Sequence, residues 1–324
     1  MTDAVFEFLN RHSSLIITTH DPADADGLGA ERVFSFVAQG LGKQVRVVNS
    51  SPTPEKFRFI DPDGTIETWE ALKETIDRDA GLVILDTSDE YYIGELRGLV
   101  PYVPEVFVID HHEPGKFCAF KGYFDSTASS TCEMVVELAQ KAGVGLTGEY
   151  ARAAYAGLVH DTGFFAYAKT SARTFNAALA LVGAGVSPYE TYQRLNEDDS
   201  AGALLLQKMV FSTLEIHNQG RIAVQVLEKK DLESTGAYLE DSEDFVNIPL
   251  KSREILVSVL VKESRDGRVR CSLRSKGTVN VSKVAQSLGG GGHVSSAGFR
   301  SPYSVRETLA VVLEKITKEI DKAV

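Results

Sequence analysis

Long apolar runs are missing from this sequence, and so is a basic stretch followed by an apolar one near the first residue. No apolar run approaches the roughly 20 residues that a membrane-spanning helix needs. The first segment, MTDAVFEFLNRHSS, also lacks the pattern of a secretory signal. We therefore expect a cytoplasmic protein that has no membrane as a partner.

Cysteine is scarce as well. The three cysteines, Cys118, Cys132 and Cys271, are too few and too scattered for a disulfide framework or a cysteine-rich metal site. We expect reduced, buried thiols that behave as small apolar side chains.

Excess positive charge is absent too, since the net charge of -11 argues against a protein that coats nucleic acid. The charge is uneven, because residues 251–324 hold 14 Lys and Arg against 7 Asp and Glu. An acidic body with a basic tail suits a site where cations lie on one side and a phosphate-bearing ligand is bound from the other. Simple variation of surface charge is the alternative interpretation.

What the chain does contain is a series of short apolar runs separated by helical stretches. The runs are residues 14–19, 44–49, 81–86 and 105–110. Near-continuous Val, Ile and Leu of this length is typical of strands buried on both faces, as in a parallel sheet covered by helices. The sequence thus predicts an α/β fold with an N-terminal doubly wound, mostly parallel sheet.

The pattern changes after the Gly- and Pro-punctuated stretch GAGVSPYETY at 183–192. Two hairpins are predicted around residues 218–220 and 266–267, and a final amphipathic helix follows from residue 304. We predict a catalytic domain at 1–190, a linker helix at 191–210 and a smaller C-terminal α/β domain at 211–324.

Ionisable residues follow the predicted strands. His20, Asp24 and Asp26 come after the first run, Asp86 ends the third, and the fourth ends at Asp110-His111-His112. Because the carboxyl ends of strands in an open α/β sheet form the ligand crevice, we expect these side chains to converge. A further carboxylate, Asp161, lies at a helix C-terminus, where the helix dipole disfavours it.

So many clustered carboxylates would repel one another unless a divalent cation lay among them. Imidazole and carboxylate ligands without thiolate fit Mn²⁺ best, with Mg²⁺, Fe²⁺, Co²⁺ or Zn²⁺ as alternatives. The candidates suffice for two ions that share a bridging Asp, as in phosphoryl-transfer sites. For single residues a plainer role stays open: Asp21 or Asp24 could cap the helix that begins near Asp26, and Asp161 could be a helix-end feature.

Two motifs carry a family resemblance. Asp110-His111-His112 behind a strand, combined with the other acidic elements, resembles the DHH phosphoesterase superfamily. The segment GGGGHVSSAGF, residues 289–299, resembles the signature of the DHH-associated nucleic-acid-binding domain. The resemblance covers nearly the whole chain and is strongest to the nanoRNase/oligoribonuclease subfamily that also dephosphorylates 3'-phosphoadenosine 5'-phosphate (pAp). Pro22 and Ala30 depart from the family pattern without removing a ligand.

The resemblance implies roles for the clustered residues. It implies one metal held by His20, Asp24 and Asp86, and a second held by Asp26, Asp86, His111 and Asp161, with Asp86 bridging. It further implies that Asp110 orients His111 and that His112 faces the substrate phosphate, which makes Asp86, Asp110 and His112 the expected catalytic residues.

The glycine run predicts a ligand-binding loop, because consecutive glycines allow close backbone approach and their N–H groups form anion-binding nests. We expect the loop glycines Gly290, Gly291 and Gly292, together with His293 and Arg274, to bind the substrate phosphate. Ser130 at the rim of the site is a further substrate-binding candidate, although a capping role for Ser129, Ser130 or Thr131 is the stronger expectation.

The expected activity is hydrolysis of short single-stranded oligonucleotides, about two to five nucleotides long, or of a mononucleotide such as pAp, by metal-activated water. Hydrolysis of cyclic or linear dinucleotides is the first alternative. An inorganic pyrophosphatase and a non-catalytic nucleotide-binding module are weaker ones. A homodimer is possible.

Overall fold

The computed structural model describes residues 2–75, 77–114, 118–292 and 294–323. The chain divides into two compact units, residues 1–198 and 199–324. In the described part of the chain, no helix is both long enough and apolar enough to cross a membrane.

The first unit is built on a six-stranded parallel sheet with the order β3-β2-β1-β4-β5-β6. Its strands are β1 (Ser14–Thr18), β2 (Gln44–Asn49), β3 (Ile66–Thr68), β4 (Gly81–Leu85), β5 (Val106–Asp110) and β6 (Lys121–Phe124). The four strands predicted from the apolar runs are confirmed. The short edge strands β3 and β6 were not predicted, because their few residues show no continuous apolar run.

Most α-helices pack on one face of this sheet, and the short helix at 69–72 with neighbouring 3-10 segments covers the other, which confirms the doubly wound α/β prediction. The helices are α1 (Thr2–Arg11), α2 (Ala25–Gly40), α3 (Trp69–Leu72), α4 (Thr131–Lys141), α5 (Gly148–Asp161), α6 (Ala172–Gly183) and α7 (Pro188–Asn196). One apolar core lies between the sheet and α1, α2, α4 and α5. A smaller core on the other face includes Ile16, Leu82 and Val108 of the strands. Segments of 3-10 helix at Glu55–Ile60, Glu90–Gly98 and Val100–Tyr102 complete the unit.

Helices α2 and α5 pack unusually closely because each carries a glycine at the crossing. A Cβ atom on Gly29 would lie 2.5 Å from the carbonyl oxygen of Ala153, and one on Gly157 would lie 2.8 Å from that of Ala25. These distances are too short for any side chain larger than hydrogen. The close approach matters because α2 and α5 carry acidic residues of the site described below.

The second unit contains a mixed sheet in the order β11-β12-β10-β9-β8-β7, in which β8 and β9 are parallel and the other pairs antiparallel. Its strands are β7 (Glu215–His217), β8 (Ile222–Leu227), β9 (Val257–Glu263), β10 (Val269–Ser275), β11 (Gly291–Gly292) and β12 (Ser296–Ser301). Its helices are α8 (Ala201–Ser212), α9 (Lys229–Thr235), α10 (Val281–Gln286) and α11 (Val305–Ala323), with a 3-10 segment at Glu240–Lys251.

Both predicted hairpins and the terminal helix are confirmed in this unit. β7 pairs with β8 across residues 218–221, and β9 pairs with β10 across residues 264–268. The apolar face of α11 packs on the sheet through Val312, Ile316 and Ile320, which are fully buried. Residues 191–210, predicted as one linker helix, include the end of α7 and most of α8, which belong to different units. The domain boundaries 1–190 and 211–324 stay a prediction.

Candidate metal centre

Strands β1 and β4 lie side by side at the point where the strand order of the first sheet reverses. In open α/β sheets, ligands bind outside the carboxyl ends of the strands at such a switch point. His20 follows β1 by two residues and Asp86 follows β4 directly. The topology therefore places these two side chains in the expected crevice.

Asp86 lies at the middle of the group. Its Oδ2 is 3.4 Å from His20 Nε2, and its Oδ1 is 3.5 Å from His111 Nε2 and 3.8 Å from His112 Nδ1. The hydroxyl of Thr131 donates a hydrogen bond of 2.8 Å to the same Oδ1. With 4% of its surface exposed, this carboxylate is reached by three imidazoles and one hydroxyl.

The backbone of Asp86 has a φ of 63°, in the left-handed region that residues other than glycine seldom adopt. Its N–H donates to the carbonyl of Ile109 on β5 at 3.0 Å, which holds the residue in this conformation. Such conformations cluster at functional sites because the surrounding structure must support them. The sharp turn directs the Asp86 side chain into the cluster immediately after β4 ends.

Asp24 has three contacts through one oxygen. Its Oδ1 accepts hydrogen bonds from the N–H groups of Asp26 and Gly27, at 2.9 and 3.0 Å, and so caps α2. The same oxygen is 3.5 Å from His20 Nε2. Burial raises the pKa of Asp24, but the charge and hydrogen bond of His20, the charge of His160 and the Gly27 N–H together outweigh it, so the pKa lies well below the usual range. The capping alternative is therefore observed, and it coexists with a place in the cluster.

Asp26 is fully buried at the beginning of α2. Its carboxylate accepts the N–H groups of Thr131 and Cys132 at 2.7 and 2.9 Å, so it lies at the positive N-terminus of α4. Burial, reinforced by the charges of Asp86 and Asp24, raises the pKa of Asp26 well above the ordinary value. Cys132 is not a plausible ligand, because burial raises the pKa of its thiol and keeps it protonated.

His111 and Asp161 meet from different parts of the chain. His111 Nε2 lies 3.1 Å from Asp161 Oδ2, and the opposite ring nitrogen, Nδ1, lies 3.4 Å from the carbonyl of Ala128. Burial lowers the pKa of His111 to about 4, so the ring stays neutral and can offer a lone pair. Among the described residues Nε2 has no hydrogen-bond partner, although it is buried.

The contacts of Asp110 correct one prediction. The residue is fully buried, and its Oδ1 accepts hydrogen bonds from His112 Nδ1 at 2.7 Å and from the His112 N–H at 2.9 Å. Asp110 therefore orients His112 rather than His111, because the chain turns sharply after β5 and brings the second histidine back onto the carboxylate. Burial lowers the pKa of His112, but the hydrogen bond to Asp110 and the charges of Asp86 and Asp110 together outweigh it, so the pKa is raised.

His160 is a candidate that sequence reasoning missed. One of its ring nitrogens, one carboxylate oxygen of Asp24 and one carboxylate oxygen of Asp161 all lie within 4.8 Å of one another. Its Nδ1 is buried and has no hydrogen-bond partner in the described part of the chain. The signal was its position directly before Asp161, since helix α5 ends there and exposes both side chains to the crevice.

Within the described ranges, four groups of three side chains have this metal-ligand spacing, and together they involve His20, Asp24, Asp26, Asp86, His111, His112, His160 and Asp161. The donors are imidazole and carboxylate, the set expected for Mn²⁺ and related divalent ions. Buried ring nitrogens without a hydrogen bond, on His111 and His160, fit lone pairs directed at an ion. The residues present thus fit a divalent-metal site, without specifying the metal.

The predicted substrate-binding residues lie in different surroundings. Ser130 is fully buried, and its hydroxyl accepts the N–H of Glu133 at 2.9 Å to cap α4. The capping expectation is confirmed, and substrate binding by Ser130 stays a prediction. Arg274 lies on β10 beside Ser296 of β12. His293 lies outside the described residues.

The glycine run is explained largely by packing. A Cβ on Gly290 would lie 2.1 Å from the carbonyl oxygen of Gly298, and the Gly290 N–H donates to Ala285 at 2.9 Å. Gly291 and Gly292 pair with β12. The N–H of Gly290 is therefore not available to an anion, which corrects the predicted nest at that position. Substrate contacts by Gly291 and Gly292 stay a prediction.

Comparison with known proteins identifies the family. The N-terminal domain of the DHH family matches residues 14–158, and the DHHA1 domain matches residues 219–323. The chain belongs to the DHH family. It is 30% identical over 310 residues to the bifunctional oligoribonuclease and PAP phosphatase NrnA of Thermus thermophilus, a match that covers 95% of this chain and 91% of the relative.

Two further similarities extend the comparison. The chain is 29% identical over 354 residues to the cyclic-di-AMP phosphodiesterase GdpP of Bacillus subtilis, covering 99% of this chain and 50% of that protein. The crystal structure of an exopolyphosphatase-related protein from Bacteroides fragilis superposes with a TM-score of 0.89 at 24% identity, covering 98% of this chain and 95% of that one. The structural match supports the fold.

Proposed function

We propose that this protein is a metal-dependent phosphoesterase that hydrolyses short oligoribonucleotides, pAp or both. The observation that carries the proposal is the convergence of imidazoles and carboxylates from separate elements on the buried carboxylate of Asp86. The similarity to the oligoribonuclease and PAP phosphatase of Thermus thermophilus supports this choice of substrates.

The metal centre is proposed to hold two divalent ions, with Mn²⁺ the best match to the donor set. His20, Asp24 and Asp86 would hold one ion. Asp26, His111 and Asp161, joined by Asp86, would hold the other. Such ions lower the pKa of water and neutralise charge on phosphate oxygens. His160 would complete the side of the crevice formed by Asp24 and Asp161.

His112 is proposed to contact the substrate phosphate. Its ring is partly exposed, with 31% of the side chain accessible, and the hydrogen bond to Asp110 fixes the orientation of Nδ1. Nε2 on the opposite side of the ring can then donate to a phosphate oxygen as charge develops there. Asp110 acts through His112 and is a positioning residue.

Residues of the second unit are proposed to bind the rest of the substrate. Residues 251–324 carry a net charge of +7, which suits an anionic nucleotide. Arg274 is the favoured phosphate ligand because its planar guanidinium matches phosphate oxygens.

Hydrolysis of cyclic or linear dinucleotides is a second candidate activity, favoured by the similarity to the cyclic-di-AMP phosphodiesterase of Bacillus subtilis. It uses the same metal centre and differs in the shape of the accepted substrate. The two candidates therefore need to be separated by substrate comparison.

The experiment is a substrate panel assayed with Mn²⁺: RNA dinucleotide, pAp, linear pGpG, cyclic di-AMP and pyrophosphate. We expect turnover of the RNA dinucleotide or pAp, and loss of turnover of every substrate in Asp86→Asn. Asp89→Asn is the matched control, because Asp89 lies in the same loop and caps the following segment through Tyr91 N–H at 3.0 Å, which Asn can also do. Pyrophosphate as the sole substrate, or full turnover by Asp86→Asn, would contradict the proposal.

A further inference from the structure

The chain turns back on itself directly after Asp161. Gly163, Phe164 and Phe165 have φ values of 54°, 54° and 67°, three consecutive residues in the left-handed region. Aromatic side chains rarely adopt this conformation, and it persists where surrounding structure supports it, often at ligand-binding sites. The N–H of Phe165 donates to Thr162 Oγ1 at 3.2 Å, which holds the turn together. Two phenylalanines are thus held within four residues of a candidate metal ligand.

Phe165 stacks on Phe175 of helix α6. Their ring centroids are 5.0 Å apart and the ring planes differ by 23°. Phe175 nevertheless leaves 54% of its surface exposed. A large apolar ring that a stacking partner positions but that is not buried contributes little to the core and presents an oriented aromatic face to solvent.

Residues near each ring of this aromatic pair donate hydrogen bonds to segments of the metal centre. On the Phe165 side, Lys169 Nζ donates to the carbonyl of His111 at 3.2 Å. On the Phe175 side, the neighbouring Thr174 donates through Oγ1 to Ser129 Oγ at 3.0 Å. Ser129 immediately precedes the cap of α4, and the first residues of α4, Thr131 and Cys132, donate hydrogen bonds to Asp26 and Asp86. The aromatic pair is therefore linked, through Lys169 and Thr174, to segments that carry or contact the proposed metal ligands.

We propose that Phe175, supported by Phe165, stacks against a nucleobase of the substrate whose phosphate lies at the metal centre. The inference rests on the proposed function and adds how the base is recognised. Every base has an apolar π-face, so an aromatic platform binds bases with little regard to their identity. The ammonium group of Lys169, on the same loop, supplies positive charge beside the phosphate position.

The test compares the hydrolysis of the RNA dinucleotide pApA with two analogues, each of which carries a tetrahydrofuran abasic residue in place of one nucleoside. In Phe175→Ala we expect kcat/KM for pApA to fall about tenfold. We expect little change for the analogue that lacks the stacked base. Phe175→Trp should keep the wild-type preference for pApA. Leu179→Ala is the matched control, because Leu179 lies one turn further along α6 and is 71% exposed.

Binding measured by calorimetry with Mn²⁺ separates this inference from the proposed function. We expect wild type to bind 5'-AMP about tenfold more tightly than ribose 5-phosphate, and Phe175→Ala to lose that preference. If wild type turns over no nucleotide substrate, the proposed function fails and the binding comparison alone decides the inference. Equal binding of 5'-AMP and ribose 5-phosphate by wild type would overturn it. So would an equal loss of turnover on pApA and both abasic analogues, or an effect of Phe175→Ala confined to the oligomeric state.

Discussion

Replacing Asp110 by Asn tests whether this residue orients His112, as the structure shows, or His111, as the family resemblance implies. The 2.7 Å hydrogen bond between Asp110 Oδ1 and His112 Nδ1 is charge-assisted. Hydrogen bonds to charged groups contribute about 1.5–3 kcal/mol, and neutral ones about 0.5–1.5 kcal/mol. Asn keeps the shape and one acceptor but loses the charge, a difference of about 1–2 kcal/mol. We therefore expect kcat/KM to fall about five- to thirtyfold.

Mn²⁺ affinity should stay near the wild-type value in Asp110→Asn, because the contacts of His111 are made with Asp86, Asp161 and Ala128. The assay is steady-state hydrolysis of the dinucleotide or pAp at saturating Mn²⁺, with the metal affinity measured separately by calorimetry. A double-mutant cycle with His112→Asn serves as the control, since residues that act as a pair give non-additive effects. A tenfold or greater loss of Mn²⁺ affinity with an unchanged kcat would refute the reasoning, and so would additive effects in the cycle.

Two further predictions concern stability. In the presence of chelator, Asp161→Asn should raise the melting temperature, because burial and the neighbouring charges of Asp26 and Asp86 raise the pKa of Asp161 and disfavour its charged form. The same variant should gain less stability from added Mn²⁺ than wild type, and a lower melting temperature in chelator would contradict this account. Gly29→Ala should destabilise the first unit by about 1–3 kcal/mol, since its Cβ would lie 2.5 Å from Ala153 O. Gly40→Ala in the same helix, where the nearest atom is 3.6 Å away, is the control in chemical denaturation, and equal effects would argue against close packing as the cause.

The strands of the first sheet show which secondary structure the apolar pattern of the sequence can predict. The residue runs 14–19, 44–49, 81–86 and 105–110 are apolar throughout because those strands are buried on both faces, so they were predictable. The edge strand β6 has one buried residue, Tyr123, and gives no comparable signal. The helix at Ala201–Ser212 was predicted as part of a linker, because local periodicity does not tell which core a helix joins.

In the metal centre, too, some residues were predictable from the sequence and others were not. Asp86 and His111 were identifiable because polar residues directly after buried strands meet at one edge of a parallel sheet. The partner of Asp110 was not identifiable, because it depends on a turn of two residues whose direction local sequence does not specify. The roles of Ser130 and Gly290 likewise depend on contacts with particular neighbours.

The amino-acid sequence by itself determined the class of fold, the set of candidate ligands and the kind of metal they suit, because these follow from residue type and from order along the chain. The tertiary structure decided which imidazole each carboxylate contacts, that His160 joins the group, and that Phe165 stacks on the exposed ring of Phe175. Those outcomes depend on distances of a few ångströms between residues far apart in sequence. Such distances are set by the packing of whole helices and strands.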